Sequence, residues 1–379
     1  MTAALTTRRL RSMAALRAIE ASWWALAGRV SPPNFYATPA FLMPWAESVA
    51  TTWAPDAVAV HRGDELVGFL PLFRRRLGRW KVGYDILGFP VQGSTPAFDL
   101  LATAGTAGDV ARAVVDRLAR SRDWDTLWLH GIDPSAEANA AFLEQTATRL
   151  HRLPAATTEV LGVDTGRETF AAYVEQRDSH QWRELQRVTR RLRERGDVRL
   201  RLYPRDDDLS LEEALDAALA VTHRSWKASN AADAEMAALR VLAIEADRYR
   251  CLRVRLLEID GVAISQMLEF VFRGRVHLFN LANDTAFRSF APGLQLLAAA
   301  IEQGFAEGAT EIDFASRHQY LEKLASARRP EIELRATRRS LWAKGRATAY
   351  FHIRDRRHRA AKEALEDQKA AAKRAGVAR

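Results

Sequence analysis

The stretch "RSFAPGLQLLAAAIEQGF", residues 288–305, carries an arginine, a small residue and a Pro-Gly pair at the mouth of an apolar, alanine-rich run. Pro-Gly followed by Leu, Gln and Ala predicts the start of a helix, because proline fixes the first-turn backbone and its missing N–H is no loss there. The first turn of a helix presents amides without partners and the positive end of the dipole. Small residues at 291 and 293 let an anion approach that backbone, and a phosphate is the guest such a corner suits. "RVHLFNLA" from Arg275 reads as a strand before it and "TEIDFA" from Thr310 as a strand after it.

Working outward, the second half of the chain shows helices at 211–229 and 234–246, a strand "CLRVRLLEI", an Asp260-Gly261 turn, a strand "VAISQMLEF" and an Arg273-Gly274 turn. The first half has a strand at 57–61, a Gly63-Asp64 turn and a strand "LVGFLPLF". A basic loop "RRRLGRWKVG", short strands near 84–89 and 98–101, a helix at 107–120 and a strand "TLWLH" follow. Both halves read strand, turn, strand, further strand, helix, strand, an order that marks an internal repeat at the level of elements. The expected fold class is α/β, an α+β arrangement of two tandem units, each a mixed β-sheet flanked by helices. We place them at 1–165 and 166–342, with a basic helical tail at 343–379. Between the repeats, Arg183, Arg187, Arg190 and Arg191 fall close to one face of a helix, either a solvated face or a lining for an acidic ligand.

The chain has 379 residues, 48% hydrophobic and 27% charged, as expected of a globular protein of two ordinary domains. Its net charge of +9 is uneven: residues 343–379 hold eleven Lys or Arg against four Asp or Glu, so the rest is nearly neutral. That tail suits a solvated helix or contact with an acidic carrier, RNA or a membrane surface. Cys251 is the single cysteine, which excludes an intrachain disulfide and points to a reducing cytoplasm. No run reaches the ~18 apolar residues of a membrane span. P-loop, zinc and serine-elbow spacings are missing, so their enzyme classes find no support.

The spacing Arg288, Ala291, Gly293 resembles the Arg/Gln-x-x-Gly-x-Gly/Ala loop with which GNAT acyltransferases hold the coenzyme A pyrophosphate. Ala291 stands at the first glycine position, and Pro292 removes one amide from the cradle. "SHQWRELQRVTRRLRERGDVRLRLY", "THRSWKA", "LEIDGVAISQMLEF", "FAPGLQLLAAAIEQG" and "EIDFASRHQYLEKL" look like successive blocks of the CelD-like acetyltransferase family. That family is a two-part branch of the GNAT superfamily related to the Fem peptidyltransferases. The resemblance spans about residues 35–342 and is strongest from 179. In the last block Ser316 or Arg317 replaces the family's glycine, and Lys323 stands three residues beyond Tyr320 instead of next to it.

The resemblance implies acyl-CoA, acetyl or longer, as co-substrate with no tightly bound cofactor or metal, and direct transfer of the acyl group to an amine. The N-terminal unit would help form the acceptor cleft. Phe279 to Leu281, Arg288, Ala291, Gly293, Leu294 and Gln295 would meet the acyl-CoA. His277, read with Phe279 and Leu281 on one strand face, titrates near neutrality and is a candidate base. Glu269, among apolar neighbours, is a second, its carboxyl raised if it faces the cleft. Asp313 at a strand end and Tyr320 just beyond are candidates for the active site, the tyrosine as acid to the leaving thiolate. His223 and Trp226 are candidate acceptor-side residues. Two other readings stay open: a Fem-like transferase using aminoacyl-tRNA, and a non-catalytic binding module.

Overall fold

The computed structural model describes residues 4–77, 83–90, 99–177, 179–225, 232–315 and 319–374. Its strands are β1 (Leu5–Leu10), β2 (Ala54–Pro55), β3 (Ala57–Arg62), β4 (Glu65–Leu70), β5 (Phe73–Leu77), β6 (Tyr84–Gly88), β7 (Leu101–Ala102) and β8 (Thr126–Ile132). They continue with β9 (His151–Leu153), β10 (Thr157–Asp164), β11 (Val198–Tyr203), β12 (Leu252–Ile259), β13 (Val262–Phe272), β14 (Arg275–Asn283), β15 (Glu311–Asp313) and β16 (Ala327–Thr337). A four-stranded sheet runs β1-β3-β4-β7, and a twelve-stranded sheet runs β11-β12-β13-β14-β15-β10-β16-β8-β6-β5-β2, with β9 also on β16.

The hairpins of the second half form where their turns demand. Asp260 and Gly261 both take positive φ, as do Arg273 and Gly274, the backbone of the two-residue turns that match strand twist. The helix Leu211–His223 starts on a capping box in which Ser210 and Glu213 satisfy each other's backbone N–H groups. It ends at His223, short of the expected 229; residues 226–231 lie outside the described residues. The helix Ala232–Arg248 follows.

Each half contains a strand, a connecting helix and a second strand that pairs in parallel with the first. In the N-terminal half these are β6, the helix Ala107–Arg120 and β8; in the C-terminal half, β14, the helix Pro292–Ala306 and β15. The two halves then exchange strands. β10, at the end of the first, pairs antiparallel with β15, and β16, at the end of the second, pairs antiparallel with β8. β10 and β16 pair with each other, so one continuous sheet runs through both. The first-half hairpin departs from the repeat: β3 and β4 leave the large sheet, because Pro71 has no N–H to carry the ladder from Leu70 to Phe73. Part of the expected basic loop is strand, since Arg74, Arg75 and Arg76 belong to β5.

Two apolar cores lie on opposite faces of the C-terminal strands. One, beneath the helix Pro292–Ala306, gathers Leu257, Met267, Leu278, Leu296, Leu297 and Ile301. The other is continuous with the N-terminal half and brings Phe35, Tyr36, Phe41 and Trp45 against Leu268, Phe270 and Phe279. Trp23, Trp45 and Trp53 are buried in that second core, where their large apolar area is best used.

Candidate active site

β14 is the centre of the site. On one side it pairs with β13 from Phe272↔Arg275 to Ser265↔Asn283. On the other, among the described residues, it pairs with β15 only over Arg275↔Glu311, Val276↔Ile312 and His277↔Asp313. β15 ends at Asp313, so beyond His277 the backbone of residues 278–283 has no strand partner on that side among the described residues, which leaves a wedge in the ladder. A β-bulge falls at the same place: Leu268 faces Asn280 while Glu269 faces Leu278, so Phe279 is an extra residue on β14. Such a bulge disrupts the ladder and re-aims the side chains beyond it.

The bulge corrects the strand-face expectation. Phe279 stays on the His277 side, among Tyr36, Phe41, Trp45 and Phe270. Leu281 turns to the opposite face, against the core under the helix Pro292–Ala306. Asn280 shares the Phe279 face, where its Oδ1 accepts from Gln266 Nε2 at 2.8 Å, and Gln266 Nε2 also approaches Thr222 Oγ1 at 3.3 Å. Gln266 is 1% exposed and its Oε1 has no partner among the described residues. A small hollow bordered by Thr222, Gln266, Leu268 and Asn280 lies here.

At the far end of β14 the chain turns through a 3-10 segment, Thr285–Phe290, capped by Asp284, whose Oδ1 accepts from Ala286 N. Arg224 clamps the same aspartate at 2.7 Å. Ala291 takes the left-handed conformation (φ 48, ψ 50), the one a glycine adopts without strain. Gly293 lies so near Asn283 that a Cβ would stand 2.6 Å from its Oδ1. Most amides of this corner are used internally: Leu294 N and Gln295 N bond to Ala291 O, and Pro292 has none. Among the described residues, Gly293 N–H is the first-turn amide left without a partner. Positive charge gathers outside it. Arg288 is exposed, and Arg191 and Arg195 lie 5.7 and 5.8 Å from the Phe290 ring. They come from the arginine-rich segment that begins with the helix Ser179–Arg193, which packs on Ala298 through Leu185 and Val188. Gln295 was expected to meet the ligand; it instead donates to Phe290 O at 2.9 Å and closes the loop. Leu294 packs between the helices.

The wedge begins at a buried polar cluster that joins the two halves. His277 is 1% exposed; its Nδ1 lies 3.6 Å from Asp313 Oδ2, too long for a hydrogen bond, and neither ring nitrogen has a hydrogen-bond partner among the described residues. Tyr36, from the N-terminal half, stacks edge-on to it at 4.8 Å with its hydroxyl buried and, among the described residues, unpartnered. Arg275 and Arg329 donate to Asp313 Oδ2 at 3.1 and 3.0 Å, and Arg329 reaches Asp133 Oδ2 at 3.4 Å. Burial lowers the His277 pKa to about 4, with the two arginines adding to the shift against the pull of Asp313. The imidazole is therefore neutral at pH 7. For Asp313, burial would raise the carboxyl, but His277, Arg275 and Arg329 outweigh it and hold it well below the ordinary range. Asp99, buried between Asn34 and Asn139, is raised by burial to about 6.

Glu269 stands apart from this group. It is fully buried and closed by Arg255, with Nε–Oε1 at 2.7 Å and Nη2–Oε2 at 3.3 Å. Its position between Leu268 and Phe270 places it on the opposite sheet face, so the expected cleft-facing carboxylate is a structural ion pair. His223 is exposed at the end of its helix. Trp226 lies outside the described residues, as does the Tyr320 side chain. Tyr36, Arg275, Arg329, Gln266 and Asn280 carry no local sequence signal. Their place is set by the bulge and by strand exchange between distant segments.

Comparison with known proteins agrees with this geometry. The model of an acetyltransferase (GNAT) domain matches residues 179–321. The fold is similar to the crystal structure of FemX, at 11% identity over 86% of this chain and 96% of that one, TM-score 0.59. It is also similar to a conserved protein of unknown function from Bacteroides thetaiotaomicron VPI-5482, at 11% identity over 84% and 97% of the two chains, TM-score 0.53. No curated protein matches the chain. The bulged β14 and the end of its pairing with β15 lie inside the matched segment, so residues 179–321 carry the acetyltransferase (GNAT) domain, in a chain whose fold is like that of FemX.

Proposed function

We propose that the chain is an acyl-CoA-dependent N-acyltransferase that passes the acyl group directly from the thioester to an amine. The observation that carries this reading is the wedge between β14 and β15 with the Phe279 bulge beside it. An extended, amide-bearing chain such as pantetheine fits an unpaired strand edge, as an added strand would. The thioester oxygen then meets a backbone N–H of the bulge, a donor aimed at the charge that develops on attack. The diphosphate lies at Gly293 N–H, with Arg288, Arg191 and Arg195 supplying the charge that the proline-depleted cradle lacks.

The amine approaches from the Gln266 and Asn280 side of the sheet, where the buried, unsatisfied Gln266 Oε1 accepts one of its hydrogens. Its nitrogen forms the C–N bond, the C–S bond breaks, and the amine's proton leaves through solvent or His277 while the thiolate is protonated. Neutral His277 is in the form that accepts a proton, and Asp313 steadies the imidazolium if one forms. Transfer needs no cysteine acyl-enzyme, since burial pushes the Cys251 thiol up to about 12 and it is inaccessible as a nucleophile. A lone reduced thiol is also what a cytoplasmic protein would carry.

Thermal shift and calorimetry with CoA, acetyl-CoA and longer acyl-CoAs, followed by thiol release with an amine panel, test the proposal. Saturable stabilisation by the thioesters with amine-dependent thiol release is expected; no heat and no shift with any of them would remove it. A Fem-like use of aminoacyl-tRNA is the second reading, favoured by the FemX-like fold and the arginine-rich helix. In that case tRNA, and not CoA, protects the protein, with affinity falling steeply as salt rises.

A further inference from the structure

The helix Leu341–Arg374 rests on the body through Ala343, Ala347 and Phe351, at one-turn intervals and each at most 5% exposed. Its opposite face carries Trp342, Gly345, Ala349 and Ile353. Leu341 is 89%, Trp342 74% and Ile353 53% exposed, large apolar groups that a soluble surface seldom clusters. The charge around them is mainly positive: residues 338–356 hold six Arg or Lys against a single Asp, Asp355, which is paired with Arg335 and Arg354, while Arg346 is paired with Asp125. Beside Leu341, Arg152, Arg339 and Lys344 border a shallow basin with His151 and Leu150.

We propose that this corner docks on an anionic phospholipid surface. Leu341, Trp342 and Ile353 enter the headgroup boundary, and Arg339 and Lys344 face lipid phosphates. Apolar anchors on a helix flanked by cations are what interfacial binding needs, each supplying what the other lacks. A second copy of this chain fits less well, because self-association would bring two basic surfaces together. Nucleic acid would use the cations and Trp342, but gains nothing from Leu341 or Ile353.

Co-sedimentation of the full chain with vesicles of phosphatidylcholine, alone or with about 30 mol% phosphatidylglycerol, tests this. Binding to the anionic vesicles only, weakened by raised salt, is expected. Leu341→Ala with Trp342→Ala should cut the partition at least about tenfold, and Arg339→Glu with Lys344→Glu should cut it as far. All four side chains are exposed, and unchanged melting temperatures would confirm intact folds. Failure to bind anionic vesicles, or binding indifferent to the double alanine change, overturns the proposal. So does capture of the same patch by single-stranded RNA without vesicle binding, or a dimer in gel filtration that Trp342→Ala dissolves. Acyl-CoA binding is read separately, so the result is independent of the proposed reaction.

Discussion

His277 and Asp313 are the last two residues at which β14 and β15 pair, and everything the wedge offers begins one residue beyond them. Their burial has a consequence for stability. His277, packed with Asp313, Arg275, Arg329 and Tyr36, titrates at about 4 in the folded chain against an ordinary 6.5. Between those values the unfolded chain binds more protons, so the contribution is complete above pH 6.5 and is lost as pH falls towards 4, by about 3 kcal/mol. Asp99 acts the other way: raised from 3.8 to about 6, it adds stability as pH falls through that window. His277→Gln removes only the first effect. Urea titrations from pH 7 to 4 should show the wild type losing about 3 kcal/mol more than the variant; parallel curves would mean that the imidazole titrates normally.

Gly293 and Ala291 make opposite predictions two residues apart. A Cβ at 293 meets the Asn283 amide, itself held by Ser265 Oγ at 2.6 Å. Gly293→Ala should therefore cost about 1–3 kcal/mol by overpacking. Asn283→Ala should absorb most of that cost in the double variant, since the two sites couple. Ala291, at φ 48, should gain about 0.5–1 kcal/mol on change to glycine. Chemical denaturation of the four variants measures all three; an additive Gly293/Asn283 pair would contradict the contact.

The helix start at 292, the two second-half hairpins and the strand–helix–strand order were legible because each rests on local chemistry: Pro-Gly, Asp-Gly and Arg-Gly at their turns. β16 was not. Its "ARRPEIELRAT" has charges and a proline where a strand pattern would alternate, since Arg329 and Glu331 point into the buried cluster and Arg335 pairs with Asp355. The bulge at Phe279 was equally hidden, because one extra residue leaves composition unchanged and only reverses which side chains share a face. Tyr36 reaches His277 across some 240 positions of sequence, a distance at which no local pattern reports.

Glu269 tests the difference between a catalytic and a structural carboxylate. Paired with Arg255 and fully buried, it should tolerate no single change: Glu269→Gln leaves the guanidinium unpaired and should cost about 3–5 kcal/mol. Replacing both partners, Arg255→Met with Glu269→Leu, should recover most of that stability, because two desolvation penalties vanish together. If the double variant folds, its acyl transfer should be near that of the wild type. A folded double variant without activity would return Glu269 to the reaction.

Because Pro292 donates nothing and Leu294 and Gln295 are bonded to Ala291 O, affinity for a diphosphate should rest on side-chain charge to an unusual degree. Arg288→Ala should weaken CoA binding about tenfold, the scale of one charge-assisted hydrogen bond. Arg191→Ala and Arg195→Ala should each weaken it less, because both also stand over the Phe290 ring and act from outside the first turn. Dephospho-CoA and pantetheine separate the contributions: pantetheine should bind all the arginine variants alike, since it lacks the diphosphate. Calorimetry that finds CoA affinity unchanged in Arg288→Ala, and equal to that of pantetheine, would show that this corner holds no phosphate.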